Sequence, residues 1–292
     1  MEKDEALRLQ KPFAPLVTVI IPCYNAEKTL REALDSALSQ AKEVPIELIL
    51  IDDGCTDGTP GIMKRYVDGI AKARAGAAKG NPDDARCDGF EGVTSIRVIR
   101  HEKSRGVAAG RNEGVAAAFG KYVAFLDADD RWARGKLKAQ LKVMEGNAGA
   151  DQKKPSLCCT ARELMSPEGV LTGRVIPVKE KIRYRQLLSH NSINCSSVLI
   201  RREIIRRFPM EHEDSHEDYL TWLKVVKHFG PAAGINEPYL KYRLTGAGKS
   251  GSKLKSAKMT YAAYRYAGFG RAVSGVLFVR YALHGVWKYM RA

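Results

Sequence analysis

The sequence predicts an α/β fold in which a mostly parallel sheet carries helices on both faces. Four short runs rich in β-branched residues are typical of strands that are covered on both sides. They are LVTVII (16–21), IELILI (46–51), IRVIR (96–100) and YVAFL (122–126). Helical segments alternate with these runs, and that order of strand and helix is typical of a parallel sheet.

The helical segments each show an apolar side. In the first helix this side consists of Leu30, Ala33, Leu34, Ala37 and Leu38. Asn25 is well placed to cap that helix. An Ala-rich helix is expected over 107–119 and an amphipathic one over 216–229. Shorter strands are expected in SLCCTA and SSVLIR, and a basic helical tail begins near Lys253.

The charge is concentrated at one end of the chain. The net charge of the 292 residues is +15, and residues 238–292 contain eleven Lys and Arg with no Asp or Glu. A basic segment with interleaved aromatic residues indicates a helix lying on an anionic membrane. A helix packed on the body remains an alternative. A nucleic-acid partner is not expected, because the basic segment is confined to one end while the sheet edge is acidic.

The cysteines and the N-terminus indicate a reducing compartment. The six cysteines show no CxxC, the N-terminus lacks an apolar core, and no run approaches the roughly 20 apolar residues of a membrane span. We therefore expect a cytoplasmic protein, bound peripherally at the inner face of the membrane. The expected division is an N-terminal extension (1–15), a main domain (16–245), and a basic lid with an amphipathic tail (246–292).

Polar clusters follow three of the predicted strands. PCYN comes after the first, DDGCTDGT after the second and DADD after the fourth. Because ligands bind beyond the carboxyl ends of parallel strands, these clusters predict one site. They suit a ligand that contains a ring, a ribose and a diphosphate, with a divalent cation neutralising the diphosphate. Pro22, Tyr24 and Asn25 are expected among the binding residues. Arg111 would face this region if its helix runs back along the sheet, and otherwise it is a solvated helix arginine.

Four stretches together resemble the inverting family-two glycosyltransferases of the GT-A type, which have a Rossmann-like sheet. They are VTVIIPCYNAEKTLREALDSALSQ, ELILIDDGCTDGT, RGVAAGRNEGVAAAFGKYVAFLDADD and HEDYLTWL, within residues 16 to 230. The resemblance implies that Asp53 grips the base and that Arg111 assists. It implies that Asp127 and Asp129 hold Mn²⁺ or Mg²⁺ and the nucleotide sugar, and of the two it favours Asp129 as the direct metal ligand. Residues 16–130 would form the nucleotide-binding half and 131–245 the acceptor half.

An inverting transfer needs a base for the acceptor hydroxyl, and candidates in the second half are Glu217, Asp218, His212 and His216. The resemblance favours Asp218, with Glu217 as the next candidate. We expect the dipole of the helix starting here to lower the pKa of Asp218 and keep it ionised. The alternative is that Asp218 only completes a capping box with Ser215.

Two departures and two misleading patterns qualify the resemblance. Cys55 stands where Ser is usual. No QxxRW follows the helix expected at 216–229, which favours a single-sugar transferase over a processive synthase. HEDSH (212–216) fits a zinc-protease pattern, but Asp214 and Ser215 interrupt the helix that this pattern needs. GAGKSGS (246–252) resembles the end of a P-loop, and we expect a flexible lid there instead. Arg243 and Lys249 are expected to belong to this lid and to meet the departing diphosphate.

The predicted function is an inverting, metal-dependent hexosyl transfer from a nucleotide diphosphate sugar. The expected donor is a UDP-hexose or UDP-N-acetylhexosamine. The acceptor is a glycan, expected to be a lipid-linked oligosaccharide for bacterial surface polysaccharide or lipopolysaccharide. A non-catalytic sugar-nucleotide sensor and a nucleic-acid-binding module remain as alternatives from other classes.

Overall fold

The computed structural model describes residues 14–79, 92–146, 154–245 and 253–290. Within these ranges the strands are β1 (Val17–Cys23), β2 (Ile46–Asp52), β3 (Val93–Arg100), β4 (Tyr122–Phe125), β5 (Arg131–Trp132), β6 (Leu157–Met165), β7 (Leu171–Ile176), β8 (Lys181–Ile182), β9 (Leu199–Arg201) and β10 (Ala232–Arg243). The helices are α1 (Leu30–Leu38), α2 (Thr59–Lys79), α3 (Val107–Ala117), α4 (Lys136–Glu145), α5 (Tyr184–Ser189), α6 (Arg202–Arg207), α7 (Glu217–Phe229), α8 (Lys253–Tyr266) and α9 (Arg271–Met290).

The strands form one sheet in the order β3-β2-β1-β4-β9-β6-β10-β5, with β7 beside β6 and β8 beside β10. The first four strands pair in parallel, as predicted. The second half departs from this pattern, because β9 is antiparallel to both β4 and β6. The sheet as a whole is therefore mixed. In this half β6 and β7 form an antiparallel hairpin joined by a short turn, whereas β6 and β10 pair in parallel.

Both faces of the sheet are covered, so the prediction of an α/β fold with helices on both sides is confirmed. Leu34 of α1, Met63 of α2 and Leu137 of α4 are buried in the cluster on one face. Val115 of α3 and Trp222 of α7 are buried in the cluster on the other. All seven residues of β2 are buried, which explains its nearly continuous apolar sequence.

The expected cap of α1 is wrong. The helix begins at Leu30 after Thr29, and no side chain caps it. Asn25 lies one turn earlier with a φ of 49°. Its Oδ1 accepts a hydrogen bond from the backbone N–H of Thr56 at 2.8 Å, which ties the β1–α1 turn to the loop after β2.

The C-terminal helices extend the second core cluster. Ala263 and Tyr264 of α8 are fully buried, and the Tyr264 hydroxyl donates to the carbonyl of Leu188 at 2.6 Å. The expected lid at 246–252, with Lys249, lies outside the described residues. In the parts of the chain that are described, no helix combines the length and the hydropathy needed to cross a bilayer.

Candidate active site

The carboxyl ends of β1, β2 and β4 meet at one edge of the sheet. Cys23 pairs with Asp52, and Ile20 pairs with Phe125, so the loops that follow these strands are neighbours. Tyr24, directly after β1, is 60% exposed at this edge. The structure thus brings together the polar clusters that the sequence placed after these strands.

The loop after β2 is tied to β1 through Cys55. Its backbone N–H donates to the Asp52 carboxylate at 2.9 Å, and its thiol donates to the carbonyl of Cys23 at 3.3 Å. Burial raises the pKa of Cys55 to about 11, so the group stays a thiol at neutral pH. The thiol therefore supplies a hydrogen-bond donor, as a serine hydroxyl would.

Asp53 organises the loop that follows β3. One oxygen accepts from His101 Nδ1 and the Arg105 N–H, at 2.6 and 2.8 Å. The other accepts from the Ser104 hydroxyl and the Gly106 N–H, at 2.7 and 3.0 Å. Burial would raise the pKa of Asp53, but these hydrogen bonds outweigh it and the pKa is lowered. The base contact expected of Asp53 stays a prediction.

His101 and Arg105 are two residues of this region that the sequence did not single out. His101 lies between the carboxylates of Asp53 and Glu113, each 2.6 Å from a ring nitrogen. Burial would lower its pKa, but the two carboxylates raise it above the usual value. Arg105 projects a side chain that is 60% exposed, and it pairs with Glu113 at 3.3 Å. Nothing in the spacing of these residues marks them, because their partners are distant in sequence.

The acids after β4 form a tight cluster. The N–H of Asp130 donates to the carbonyl of Asp127 at 3.0 Å, which closes a turn around Ala128 and Asp129. Burial and then the charge of Asp127 raise the pKa of Asp129 to about 6. Burial and both neighbouring carboxylates raise the pKa of Asp130 as well. Carboxylates held this close destabilise one another's charge until a cation joins them.

These residues suit a divalent cation that substrate helps to hold. In the described ranges no three or more His, Cys, Asp or Glu side chains are grouped so that they alone could hold a metal ion. Mg²⁺ and Mn²⁺ need no such cage, because one or two carboxylates and substrate phosphates commonly bind them. Asp127 and Asp129 supply hard oxygen ligands, and burial and the charge of Asp127 raise the pKa of Asp129, so a bound cation would stabilise its ionised form.

Arg111 links this cluster to the second half of the chain. It is only 4% exposed, so the alternative of a solvated helix arginine is wrong. One terminal nitrogen is 2.5 Å from Asp127, and the other donates to Glu217 at 3.0 Å. Burial would lower its pKa, but Asp127 and other nearby groups keep it raised. Helix α3 does run back along the sheet, and a carboxylate oxygen of Glu213 accepts the N–H of Ala108 in its first turn.

Asp218 lies beside Glu217 at the start of α7. The expectation of a lowered pKa is wrong: burial, followed by the charge of Glu217, raises the pKa of Asp218 to about 7. The capping alternative is also wrong. Helix α7 has His216 at its N-cap with no side-chain cap, and the Ser215 hydroxyl donates to the carbonyl of His212.

The two other candidate bases have different surroundings. His212 has a φ of 64° and stacks on Tyr266, with ring centroids 3.6 Å apart. His216 lies near the Ser256 carbonyl, at 3.3 Å. Residues 212–215 are not helical, so the two histidines do not form the helical zinc pair of the HExxH pattern.

The placement of Arg243 in a lid is wrong. It ends β10, is 3% exposed, and donates from its guanidinium to the carbonyls of Asp129 and Pro167 and to Glu32. Its backbone N–H donates to Asp130 at 3.0 Å. Arg243 therefore fixes the turn of the acid cluster from behind, and each of its three guanidinium nitrogens already donates to a group of the protein.

The mixed sheet, with an acid cluster at the end of its parallel half, is that of a GT-A glycosyltransferase. Residues 18–208 match the family model described as Glycosyl transferase family 2, and the chain belongs to that family.

Curated relatives are similar over most of their length. The chain is 32% identical over 253 residues to the putative teichuronic acid biosynthesis glycosyltransferase TuaG of Bacillus subtilis (strain 168). The similar region covers 87% of this chain and 88% of TuaG. The chain is 29% identical over 247 residues to WfgD of Escherichia coli, covering 83% of each chain. WfgD is described as a UDP-Glc:alpha-D-GlcNAc-diphosphoundecaprenol beta-1,3-glucosyltransferase.

Solved structures share the fold at low sequence identity. TarS 1-349 of S. aureus, in complex with UDP-GlcNAc, superposes with a TM-score of 0.62 at 16% identity, covering 91% of this chain and 71% of that one. The mannosyltransferase PcManGT of Pyrobaculum calidifontis, in complex with GDP-Man and Mn²⁺, gives a TM-score of 0.59 at 20% identity, covering 94% and 71%.

Proposed function

We propose that this protein is an inverting, metal-dependent hexosyltransferase of bacterial surface polysaccharide or lipopolysaccharide synthesis. It transfers one sugar from a UDP-hexose or UDP-N-acetylhexosamine to a lipid-linked glycan. The observation that carries the proposal is the chain of contacts from Asp127 through Arg111 to Glu217, beside Asp218. It links the proposed cation cluster to Glu217, and the neighbouring Asp218 has a pKa raised to about 7, which suits proton transfer.

The donor lies, in this proposal, at the edge of residues 16–130. Tyr24 offers an exposed ring for stacking, and the loop that Asp53 organises presents Arg105 to the nucleotide. Asp127 and Asp129 would hold Mn²⁺ or Mg²⁺. When bound, the cation supplies positive charge that stabilises the leaving diphosphate.

The acceptor lies on the side of residues 131–245. Asp218 takes the proton of the acceptor hydroxyl while that oxygen bonds to the anomeric carbon. The bond from that carbon to the diphosphate breaks at the same time, and UDP leaves with the electron pair. A single displacement of this kind inverts the anomeric configuration.

The relatives support the choice of substrates. WfgD, by its description, uses UDP-Glc and an acceptor carried on diphosphoundecaprenol, and the TarS structure contains UDP-GlcNAc. The proposed place of action is the cytoplasmic face of the cell membrane, where the protein is bound peripherally. PcManGT binds GDP-Man and Mn²⁺, so a guanine donor belongs in any test.

The test is a transfer assay with the full chain. UDP-Glc, UDP-Gal, UDP-GlcNAc, UDP-GalNAc and GDP-Man are each incubated with Mn²⁺ and a synthetic GlcNAc-diphosphate lipid. We expect nucleotide release from one UDP-sugar, dependent on acceptor and abolished by EDTA, and a product whose anomeric configuration by NMR is opposite to that of the donor. Donor binding without nucleotide release on adding acceptors would favour the non-catalytic sensor. A retained configuration would contradict the single displacement.

A further inference from the structure

The outward side of α9 is apolar and uncovered by the described part of the chain. Val273, Val276, Val279 and Leu283 are 50%, 70%, 56% and 66% exposed. Residues three or four apart share one side of a helix, so these four form a continuous strip, here called the α9 stripe. Large apolar side chains exposed in a row mark an interaction surface more often than scattered ones do.

The opposite side of α9 packs on the body. Ser274 is fully buried, and Leu277 and Phe278 pack against the second core cluster. The ring of Tyr281 lies 6.2 Å from that of Tyr219 in α7. The helix is therefore fixed to the domain, and the α9 stripe is not the side it uses for that packing.

Positive charge lies next to the α9 stripe. Arg280, four residues after Val276 and three before Leu283, is exposed on the same side of the helix, and Arg271 is exposed at the start of the helix. The whole segment after Glu237 contains no acid to offset them. An apolar strip with a cationic border complements an anionic bilayer, where the apolar side chains enter the acyl boundary and the cations meet lipid phosphates. A second copy of the same surface would instead bring cation against cation.

We propose that the α9 stripe is the surface by which this protein lies on an anionic lipid bilayer. The inference deepens the proposed function, on which it rests in one respect: an acceptor carried on a lipid must be met at a membrane. The two alternatives for the basic tail, packing on the body and lying on a membrane, then describe opposite sides of one helix.

The test measures binding of the full chain to vesicles by flotation, with phosphatidylcholine alone or mixed with phosphatidylglycerol. We expect binding to the mixed vesicles, weakened by salt. The double variant Val276→Gln/Leu283→Gln should lower the partition coefficient by about tenfold or more, because the apolar area entering the bilayer shrinks. Arg271→Gln/Arg280→Gln should weaken binding to the anionic vesicles and remove part of the salt dependence.

Matched controls make the same changes elsewhere on the surface. Val170→Gln/Val175→Gln alters two exposed valines of the β6–β7 hairpin, and Lys42→Gln/Lys142→Gln removes two exposed cations of the body. Both controls should bind vesicles as the wild type does. Truncation before α8 is not a usable test, since Ala263 and Tyr264 belong to the core.

The outcomes separate this inference from the proposed function. Equal vesicle binding by the stripe variants and their controls would overturn the inference. A dimer in sedimentation that Val276→Gln/Leu283→Gln converts to monomers would also overturn it, because a second copy would then cover the stripe. Vesicle binding through the stripe with no sugar transfer would refute only the proposed function. Stripe variants should retain transfer to a water-soluble acceptor.

Discussion

Asp218 has to be ionised to accept a proton, yet it lies next to a second carboxylate. Burial and Glu217 raise its pKa to about 7, while the Arg111 guanidinium limits the rise. A base whose pKa lies near the working pH combines a large ionised fraction with useful basicity. The pair of acids at the start of α7 thus gives Asp218 a pKa suited to its proposed role.

Replacing Asp218 by Asn keeps the shape of the side chain and removes its basicity. Turnover should fall by about 10²- to 10⁴-fold, with little change in donor affinity. The wild-type kcat/KM should decline as the pH falls below about 7, and this limb should be absent from the residual activity of the variant. Steady-state kinetics between pH 5 and 9 measures both effects.

The stability of the same variant separates a base from a structural residue. The folded protein holds a proton on Asp218 up to about pH 7, whereas the unfolded chain loses it near the ordinary aspartate pKa of 3.8. Ionisation of Asp218 therefore lowers the free energy of unfolding as the pH rises between these two pKa values. The Asp218→Asn variant does not lose this stability. Asp218→Asn should melt higher than the wild type at pH 8. Near-normal turnover with a lower melting temperature would make Glu217 the next candidate.

His101 contributes stability with the opposite dependence on pH. Its pKa is raised by Asp53 and Glu113, so its contribution is complete below the unfolded pKa of about 6.5 and is lost as the pH rises through the folded pKa. His101→Gln should lower the melting temperature more at pH 6 than at pH 9. Scanning calorimetry at the two values tests this, and a loss that is the same at both would show that His101 acts as an uncharged residue.

Single residues were predictable where one motif or one edge of the sheet located them. Asp127 and Asp129 follow a buried strand, and the structure places them in one cluster. The environment of a residue was less predictable. Segments far apart in sequence bury Asp218 and so raise its pKa. Distant segments also supply Glu32 and Pro167, which hold the Arg243 side chain.

Helix α3 positions Arg111 because two glycines let it lie close to the sheet. A Cβ on Gly114 would come within 2.6 Å of a methyl group of Ile20 in β1, and one on Gly110 would come within 3.1 Å of Ile51 in β2. Close packing of this helix against β1 and β2 brings the Arg111 guanidinium to Asp127.

Gly114→Ala should therefore disturb both the fold and the site. We expect a loss of about 1–3 kcal/mol in the free energy of unfolding, typical of overpacking, and weaker UDP binding as α3 moves. Gly61→Ala is the matched control, because Gly61 lies on the exposed side of α2 and a Cβ added there would have nothing within 4 Å. It should be neutral or stabilising by up to about 1 kcal/mol. Equal effects of the two changes in urea unfolding would contradict the close packing.

Elements with a strong period were predictable to within a few residues. The strand expected at 46–51 is Ile46–Asp52, and the helix expected at 216–229 is Glu217–Phe229. Caps and strand direction were less predictable. The Asn25 side chain bonds to Thr56, on a loop that the local pattern does not bring near, and the antiparallel β9 has only three residues.

The molecule as a whole separates its charges. Acidic side chains are concentrated at one edge of the sheet, and the chain after Glu237 contains Lys and Arg but no Asp or Glu. In the proposed arrangement the acidic edge binds a cation and the diphosphate of the donor, while the basic end faces anionic lipid. The distribution of charge in the sequence indicated this division. Which side of α9 is free could be recognised only from the structure, which shows the side that packs on the body.

The central claim is that the edge of the sheet binds a nucleoside diphosphate through a divalent cation held by Asp127 and Asp129. Isothermal titration calorimetry with UDP, with and without Mn²⁺, tests it most directly on the wild type and Asp129→Asn. Asp68→Asn, on the exposed side of α2, is the control. We predict that Mn²⁺ raises UDP affinity by about tenfold or more in the wild type and the control, and leaves it nearly unchanged in Asp129→Asn. The same affinity and the same Mn²⁺ dependence in Asp129→Asn as in the wild type would contradict the claim.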